Sequence, residues 1–181
     1  KLKVDPDIAI FGKSIGNGYP ISAIIGKKEI MQVAQETFIS STMWTDRLGF
    51  IAAKATLKKL KQFKINKIIS NYGNKIKKGW INISKKNKVK ISISGQDAIP
   101  YLKFDYPNNL EILTYFTQEM LKLGFLANTT LATCYSYNDN IIKKYLSNVD
   151  KVFRKIKLGI ENNSINLDGS VKHSSFKRLT G

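Results

Sequence analysis

The chain has 181 residues, of which 43% are hydrophobic and 24% charged, with a formal net charge of +17, one cysteine and one histidine. That composition can fill a core, which excludes wholesale disorder, and the length fits one or two domains. Cys134 has no internal disulfide partner, and with only His173 beside it no metal site of the usual Cys/His type can be assembled. No apolar run approaches the roughly 18 residues of a membrane span, and Lys1 opens no signal peptide, so a soluble protein in a reduced, cytoplasmic setting is expected.

The charge invites a nucleic-acid reading, yet of the thirty basic residues only Arg47, Arg154 and Arg178 are arginine. Bidentate recognition of phosphate and guanine edges favours Arg. Lys, Ile and Asn share A/T-rich codons, so a biased genome accounts for the excess without any ligand. The expectation is no nucleic acid and no membrane partner, with a basic nucleic-acid-binding module kept as a non-enzymatic alternative.

In chain order, Ile8-Ala9-Ile10-Phe11 is a continuous apolar run, the pattern of a strand buried on both faces, and it stops at Gly12-Lys13. Gly16, Asn17, Gly18 and Pro20 punctuate a tight reversal before a second run, Ile21 to Ile25, closed by Gly26. A short helix is predicted over Lys28 to Gln35. The hydroxyl-rich Ser40-Ser41-Thr42 and Thr45 suit a helix start with Asp46 in its first turn. Leu48, Ile51, Ala55, Ile65, Ile68, Ile69, Tyr72, Ile76 and Trp80 then keep helical spacing, with a break near Gln62 to Asn66. Val89, Ile91 and Ile93 alternate with polar residues, as do Leu102, Phe104 and Tyr106, giving two half-buried strands. A helix follows Pro107-Asn108-Asn109, faces inward with Leu113, Phe116 and Met120, and ends at Gly124. A third short strand fits Phe125 to Thr130 or Ala132 to Tyr135. The last helix, Asn138 to Leu158, carries the stripe Ile142, Tyr145, Leu146, Val149, Val152, Phe153, Ile156, and a polar tail closes the chain.

Lys13 stands out among the lysines. It sits where an apolar strand stops and a glycine-rich turn begins, a place where open α/β sheets put ligand groups. A lysine held there is expected to be partly desolvated, and burial lowers an amine's pKa toward the neutral form that attacks a carbonyl.

The local sequence sharpens this. Pro6-Asp7, the strand Ile8 to Phe11, Gly12-Lys13, Gly16-Asn17-Gly18-Tyr19-Pro20 and the run to Gly26 together resemble the cofactor-lysine segment of class III aminotransferases, which include glutamate-1-semialdehyde aminomutase. Thr37-Phe38 and Ser41-Thr42-Met43-Trp44-Thr45-Asp46-Arg47-Leu48-Gly49 resemble the Thr-Phe and Ser-Thr-aromatic-Gly-Gly-Asn-Pro-Leu stretch of that family. Phe116 to Gly124 is similar to the segment leading into its last strand. The similarity covers most of residues 4 to 158.

The resemblance implies an α/β chain of fold type I, comprising the last part of a large domain (residues 1–45), a connecting helix with a small C-terminal α+β domain (46–160), and a polar tail (161–181). It implies pyridoxal 5′-phosphate as cofactor, held as a Schiff base by Lys13, which then moves the substrate proton as general base and acid. It implies that Thr42, with Ser41 beside it, reaches the cofactor phosphate of the neighbouring subunit in a homodimer with shared sites, acting on a small amino donor and a carbonyl acceptor. The expected activity is amino-group transfer; the semialdehyde aminomutase reaction itself and a catalytically silent scaffold stay open. Two departures matter. Trp44-Thr45-Asp46-Arg47 stands where the family usually has Gly-Gly-Asn-Pro, leaving Trp44 either a substrate-facing or an interface residue. Ser136 to Asn140 stands where many relatives have His-Thr, so no role transfers there. The match corresponds to the second half of such an enzyme, and with no initiator Met the expectation is an incomplete chain, inactive unaided.

Overall fold

The computed structural model describes residues 4–173, and they divide after Ile65 into two units. In the first, strand β1 (Ile8–Phe11) pairs antiparallel with β2 (Ala23–Gly26), Ile8 opposite Gly26 and Phe11 opposite Ala23. The reversal between them needs Gly16, where a Cβ would stand 2.1 Å from the Tyr19 carbonyl oxygen. The predicted helix after Gly26 is a single α-turn, α1 (Lys28–Met31), tightening into a 3₁₀ stretch at Gln32–Glu36. The ion pair of Lys27 with Asp7, at 2.6 Å, joins the start of β1 to the start of α1.

Two expectations for this unit are corrected. The apolar run of β1 forms a strand, but not one buried on both faces: Ile10 is 73% exposed, and Ile8 and Phe11 are also open. A two-stranded sheet has no layer of its own to cover either face, so an apolar run alone cannot bury itself. Asp46 lies ahead of α2 (Leu48–Gln62) rather than in its first turn; its Oδ1 accepts the Leu48 N–H at 2.8 Å, so the carboxylate, not a hydroxyl, satisfies an orphan donor at the helix entrance. The predicted break falls where α2 stops, with Lys64 in the left-handed region before α3 (Ile65–Asn87).

The second unit holds strands β3 (Ile91–Gln96) and β4 (Ile99–Phe104), which form an antiparallel hairpin, Ile91 opposite Phe104. It also holds helices α4 (Asn109–Lys122) and α5 (Asp139–Glu161). The alternation of β4 buries Leu102 and Phe104, and the stripe of α5 from Ile142 to Ile156 is buried at each step of three or four. Phe104, Phe116 and Phe153 meet as a triad with ring centroids 5.6 to 6.2 Å apart. Trp80 of α3 donates its indole N–H to the Tyr145 hydroxyl at 3.2 Å, pinning α3 to α5. Asn138 caps α5 by accepting the Ile141 N–H at 2.9 Å.

The predicted third strand is only an isolated bridge, Thr130 opposite Tyr101. The segment still runs along the free edge of β4, where Leu102 donates its N–H to Thr129 and Leu131 donates to Pro100. Beyond α5 the chain returns over α4: the Asp168 N–H is taken by Gln118 and the Lys172 N–H by the Thr114 hydroxyl. Residues 174–181 of the predicted tail lie outside the described residues. Several lysines are paired in this unit, including Lys75 with Asp139, Lys86 with Asp150 and Lys155 with Glu119. Among the described residues no helix is long and apolar enough to cross a membrane.

Candidate functional site

β1 ends at Phe11, and through Gly12 the chain enters a 3₁₀ turn at Lys13–Ile15. Lys13 has φ +52°, in the left-handed region that costs a side-chain-bearing residue about 1 kcal/mol. Of the other such residues outside glycine, Lys64, Lys88 and Asn163 follow the ends of helices, where this geometry is the common terminator, and Asn17 is a residue type that tolerates it. Lys13 alone takes it directly after a strand. The backbone there is held by Ile15 N–H to Gly12 and Tyr19 N–H to Gly16, so the turn fixes where the lysine leaves the chain.

The expected desolvation of Lys13 is not supplied by the described residues, since Lys13 is exposed. The reason is that of β1: among the described residues of this unit nothing closes over the amine.

This unit bounds a cavity of about 1170 Å³. Lys13 lines it together with Ser41 and Thr42, so all three sequence-predicted site residues reach one space, with Ser40, Trp44 and Asp46 beside them. Thr42 opens the turn Thr42–Thr45, ahead of α2 rather than at its first residue. The turn is closed by the Trp44 N–H to Ser41 at 3.2 Å and the Asp46 N–H to Met43 at 3.1 Å, and then by the Asp46 cap on Leu48. The N–H groups near the hydroxyls are therefore those of the turn, not of the α2 terminus. Gly49 lets α2 approach the reversal, because a Cβ there would meet the Pro20 carbonyl oxygen and Ile21 at 3.1 Å. That approach sets the Ser/Thr turn beside the Lys13 turn.

Sequence reasoning missed the cap role of Asp46 and the apolar side of the cavity, where Met31, Ile39 and Phe50 line the wall. Period-3.6 patterning assigns such residues to a core, and only the exposure of Phe50 (64%) and Ile39 (54%) separates them from one. Lys13 and Asp46 are the ionisable residues of the lining. His173 is exposed, as expected of a surface residue.

The model of the family Aminotransferase class-III matches residues 1–157. The 3-aminobutyryl-CoA aminotransferase of Cloacimonas acidaminovorans is 34% identical over 102 residues, which is 56% of this chain and 25% of that protein. The glutamate-1-semialdehyde 2,1-aminomutase of Caldicellulosiruptor saccharolyticus is 45% identical over 62 residues, 33% of this chain and 14% of that protein. Among solved structures, the PLP internal aldimine form of the Sphingopyxis sp. MTA144 FumI protein superposes with a TM-score of 0.81 at 19% identity, covering 87% of this chain and 39% of that one. An acetylornithine aminotransferase from Elizabethkingia anophelis gives 0.74 at 20% identity, with coverages of 84% and 42%. The fold is thus that of the fold type I transaminases, and the chain spans well under half the length of these relatives.

Proposed function

The chain belongs to the class III aminotransferase family, and on that premise we propose that it supplies the lysine-bearing part of a pyridoxal 5′-phosphate-dependent aminotransferase. The observation that supports the proposal is Lys13, held in a strained turn just beyond the end of β1. The donor set fits the cofactor. An amine suits its aldehyde, and hydroxyls with neighbouring turn N–H groups suit its phosphate. An acidic partner for its ring nitrogen is not among the described lining residues, since Asp46, the one acid there, already accepts the Leu48 N–H.

When bound, pyridoxal phosphate withdraws electrons from the substrate carbon that bears the amine. Lys13 would hold it through Nζ, and the same Nζ would be the group that takes up and returns the substrate proton. Thr42 would bind a phosphate through its hydroxyl, with Ser41 supporting it from the same turn; in the proposed homodimer that phosphate is the one at the partner's site. Residues 1–45 then close a large cofactor-binding domain, 46–160 form the connecting helix and small domain, and 161–181 the tail. The protein acts in the cytoplasm on a small amino donor and a carbonyl acceptor. The names of the relatives specify different substrates, so none is carried over.

Borohydride reduction of the intact protein loaded with pyridoxal phosphate is expected to fix the cofactor on the peptide containing Lys13, read by mass spectrometry. Lys13→Ala should lose that label and lower kcat by at least about 10³-fold. Label persisting in the variant overturns the assignment.

A further inference from the structure

After α5 the chain turns back at Asn163, with φ +48°, and Ile165 is the last described residue packed against the core, seated over Gly159. From there to Lys172 the hold is polar. Thr114, Gln118 and Lys122 stand four residues apart on one face of α4, and each grips the returning chain. The Gln118 amide donates to the Asn166 carbonyl at 3.3 Å and accepts the Asp168 N–H at 2.8 Å. Lys122 pairs with the Asp168 carboxylate at 2.9 Å, and the Thr114 hydroxyl accepts the Lys172 N–H at 3.1 Å. Beneath them the buried Glu119 carboxylate accepts from both Gln118 and Lys122, so it positions two of the three grips. At the far end Lys172 Nζ donates to Asn128 Oδ1 at 3.2 Å. Asn128 leads directly into Thr129 and Leu131, whose backbone is bonded to the free edge of β4.

A segment held by exposed hydrogen bonds and little apolar burial opens locally at low free-energy cost. Val171 is exposed, and the Lys122–Asp168 pair is half open to water, where ion pairs contribute little. The core residues of α5, by contrast, are buried from Val149 to Ile156. We propose that residues 166–172 form a strap that opens from α4 as one unit while the core stays folded, and that its docking steadies residues 129–131 on β4 through Lys172 and Asn128. The strap is a conformational device of the second unit, and it does not depend on the aminotransferase reading.

Amide hydrogen exchange of the intact protein at neutral pH, resolved to single residues by mass spectrometry, tests this. In wild type the Asp168 and Lys172 N–H groups should exchange at least about 100-fold faster than those of residues 149–153. Gln118→Ala removes the acceptor of the Asp168 N–H, so the informative amides are those it does not touch. Lys172, bonded to Thr114, should exchange about tenfold faster and Leu131, bonded to Pro100, about threefold faster, with residues 149–153 within about twofold of wild type. Asp168→Asn, which weakens only the pair with Lys122, should raise Lys172 exchange by about twofold. Lys172→Met should raise Leu131 exchange about threefold and leave Asp168 within about twofold. Unchanged exchange at Lys172 in Gln118→Ala makes the grips independent of one another. Unchanged exchange at Leu131 removes the link to β4, and wild-type Lys172 exchange as slow as that of residues 149–153, or an equal rise there in Gln118→Ala, makes the segment part of the core. Each of these results overturns the proposal.

Discussion

The two units spend their apolar residues in opposite ways. Every buried hydrophobic side chain among the described residues except Ala53 lies beyond Ile65, around Trp80, Phe116 and Phe153. The unit that carries Lys13 and Thr42 instead leaves Phe38, Ile10 and Phe50 open. A packed core organises the second unit, while the first is organised by turns, caps and close approaches at Gly16, Gly26 and Gly49. Apolar content therefore measures a segment's capacity for burial, and the neighbouring layers decide whether burial happens.

The largest test of this contrast is a pair of phenylalanines. Phe153 is fully buried and in ring contact with Phe104 and Phe116. Truncation to Ala should cost about 4 kcal/mol by urea denaturation. Phe38, 96% exposed, should lose no more than about 0.5 kcal/mol on the same change. Equal losses would show that the first unit has a core of its own and erase the distinction.

Much of this was legible in the sequence where the signal was local. The three-and-four spacing of Ile142 to Ile156 gives α5, the alternation of Leu102 and Phe104 gives β4, and the motif around Lys13 places the candidate amine on its strand end. What was not legible has no pattern in residue type. The openness of β1 follows from the lack of a covering layer among the described residues of its unit, and the entrance of α2 went to Asp46, two residues from the donor it accepts, although Ser41, Thr42 and Thr45 offered more obvious caps. The left-handed backbone of Lys13 has no residue-type signal, because the adjacent Gly12 is the position that looks permissive; Gly12 is extended, with φ −156°.

A close approach within the second unit gives the next largest effect. Gly73 of α3 lies against the β3–β4 turn, and a Cβ there would stand 1.5 Å from the Asp97 carbonyl oxygen. Backbone meets backbone, so no flexible side chain can yield. Gly73→Ala should cost about 3 kcal/mol, read as a lowered denaturation midpoint, despite the better helix propensity of Ala.

Glu119 tests whether the same unit also relies on charge. Its carboxylate, 6% exposed, accepts from Lys155 of α5 at 2.5 Å and from Lys122 at 2.9 Å. Desolvation pushes its pKa upward, but the hydrogen bonds from Lys155, Lys122 and Gln118 outweigh it and hold the group at about 2. A carboxyl depressed in the folded state stabilises fully above its ordinary value near 4.5 and loses that contribution as pH falls toward 2. With the lysines half exposed and screened, the contribution is about 2 kcal/mol. Glu119→Gln should thus be less stable than wild type by about that amount at pH 7, with the gap closing between pH 4.5 and 2. A gap constant with pH would reassign the loss to packing.

The smallest effect separates strain kept for a site from strain that is incidental. α4 and α3 end in the same way. After α4, Gly124 at φ +82° donates its N–H to Leu121 and Phe125 donates to Met120; after α3, Lys88 at φ +54° donates to Lys85 and Val89 donates to Ser84. This is one terminator with two residues at its left-handed position, and glycine is the one without steric cost there. Lys88 is exposed, so nothing else holds it to its identity. Lys88→Gly should therefore raise stability by about 0.5 to 1 kcal/mol, with the borohydride label at Lys13 unaffected. Lys13→Gly relieves a similar φ and should gain a comparable amount, yet lose the label altogether. If instead Lys13→Gly destabilises the protein, its turn is held by contacts of the lysine side chain, and the backbone outlier at the end of β1 is structural rather than a strain retained for the amine.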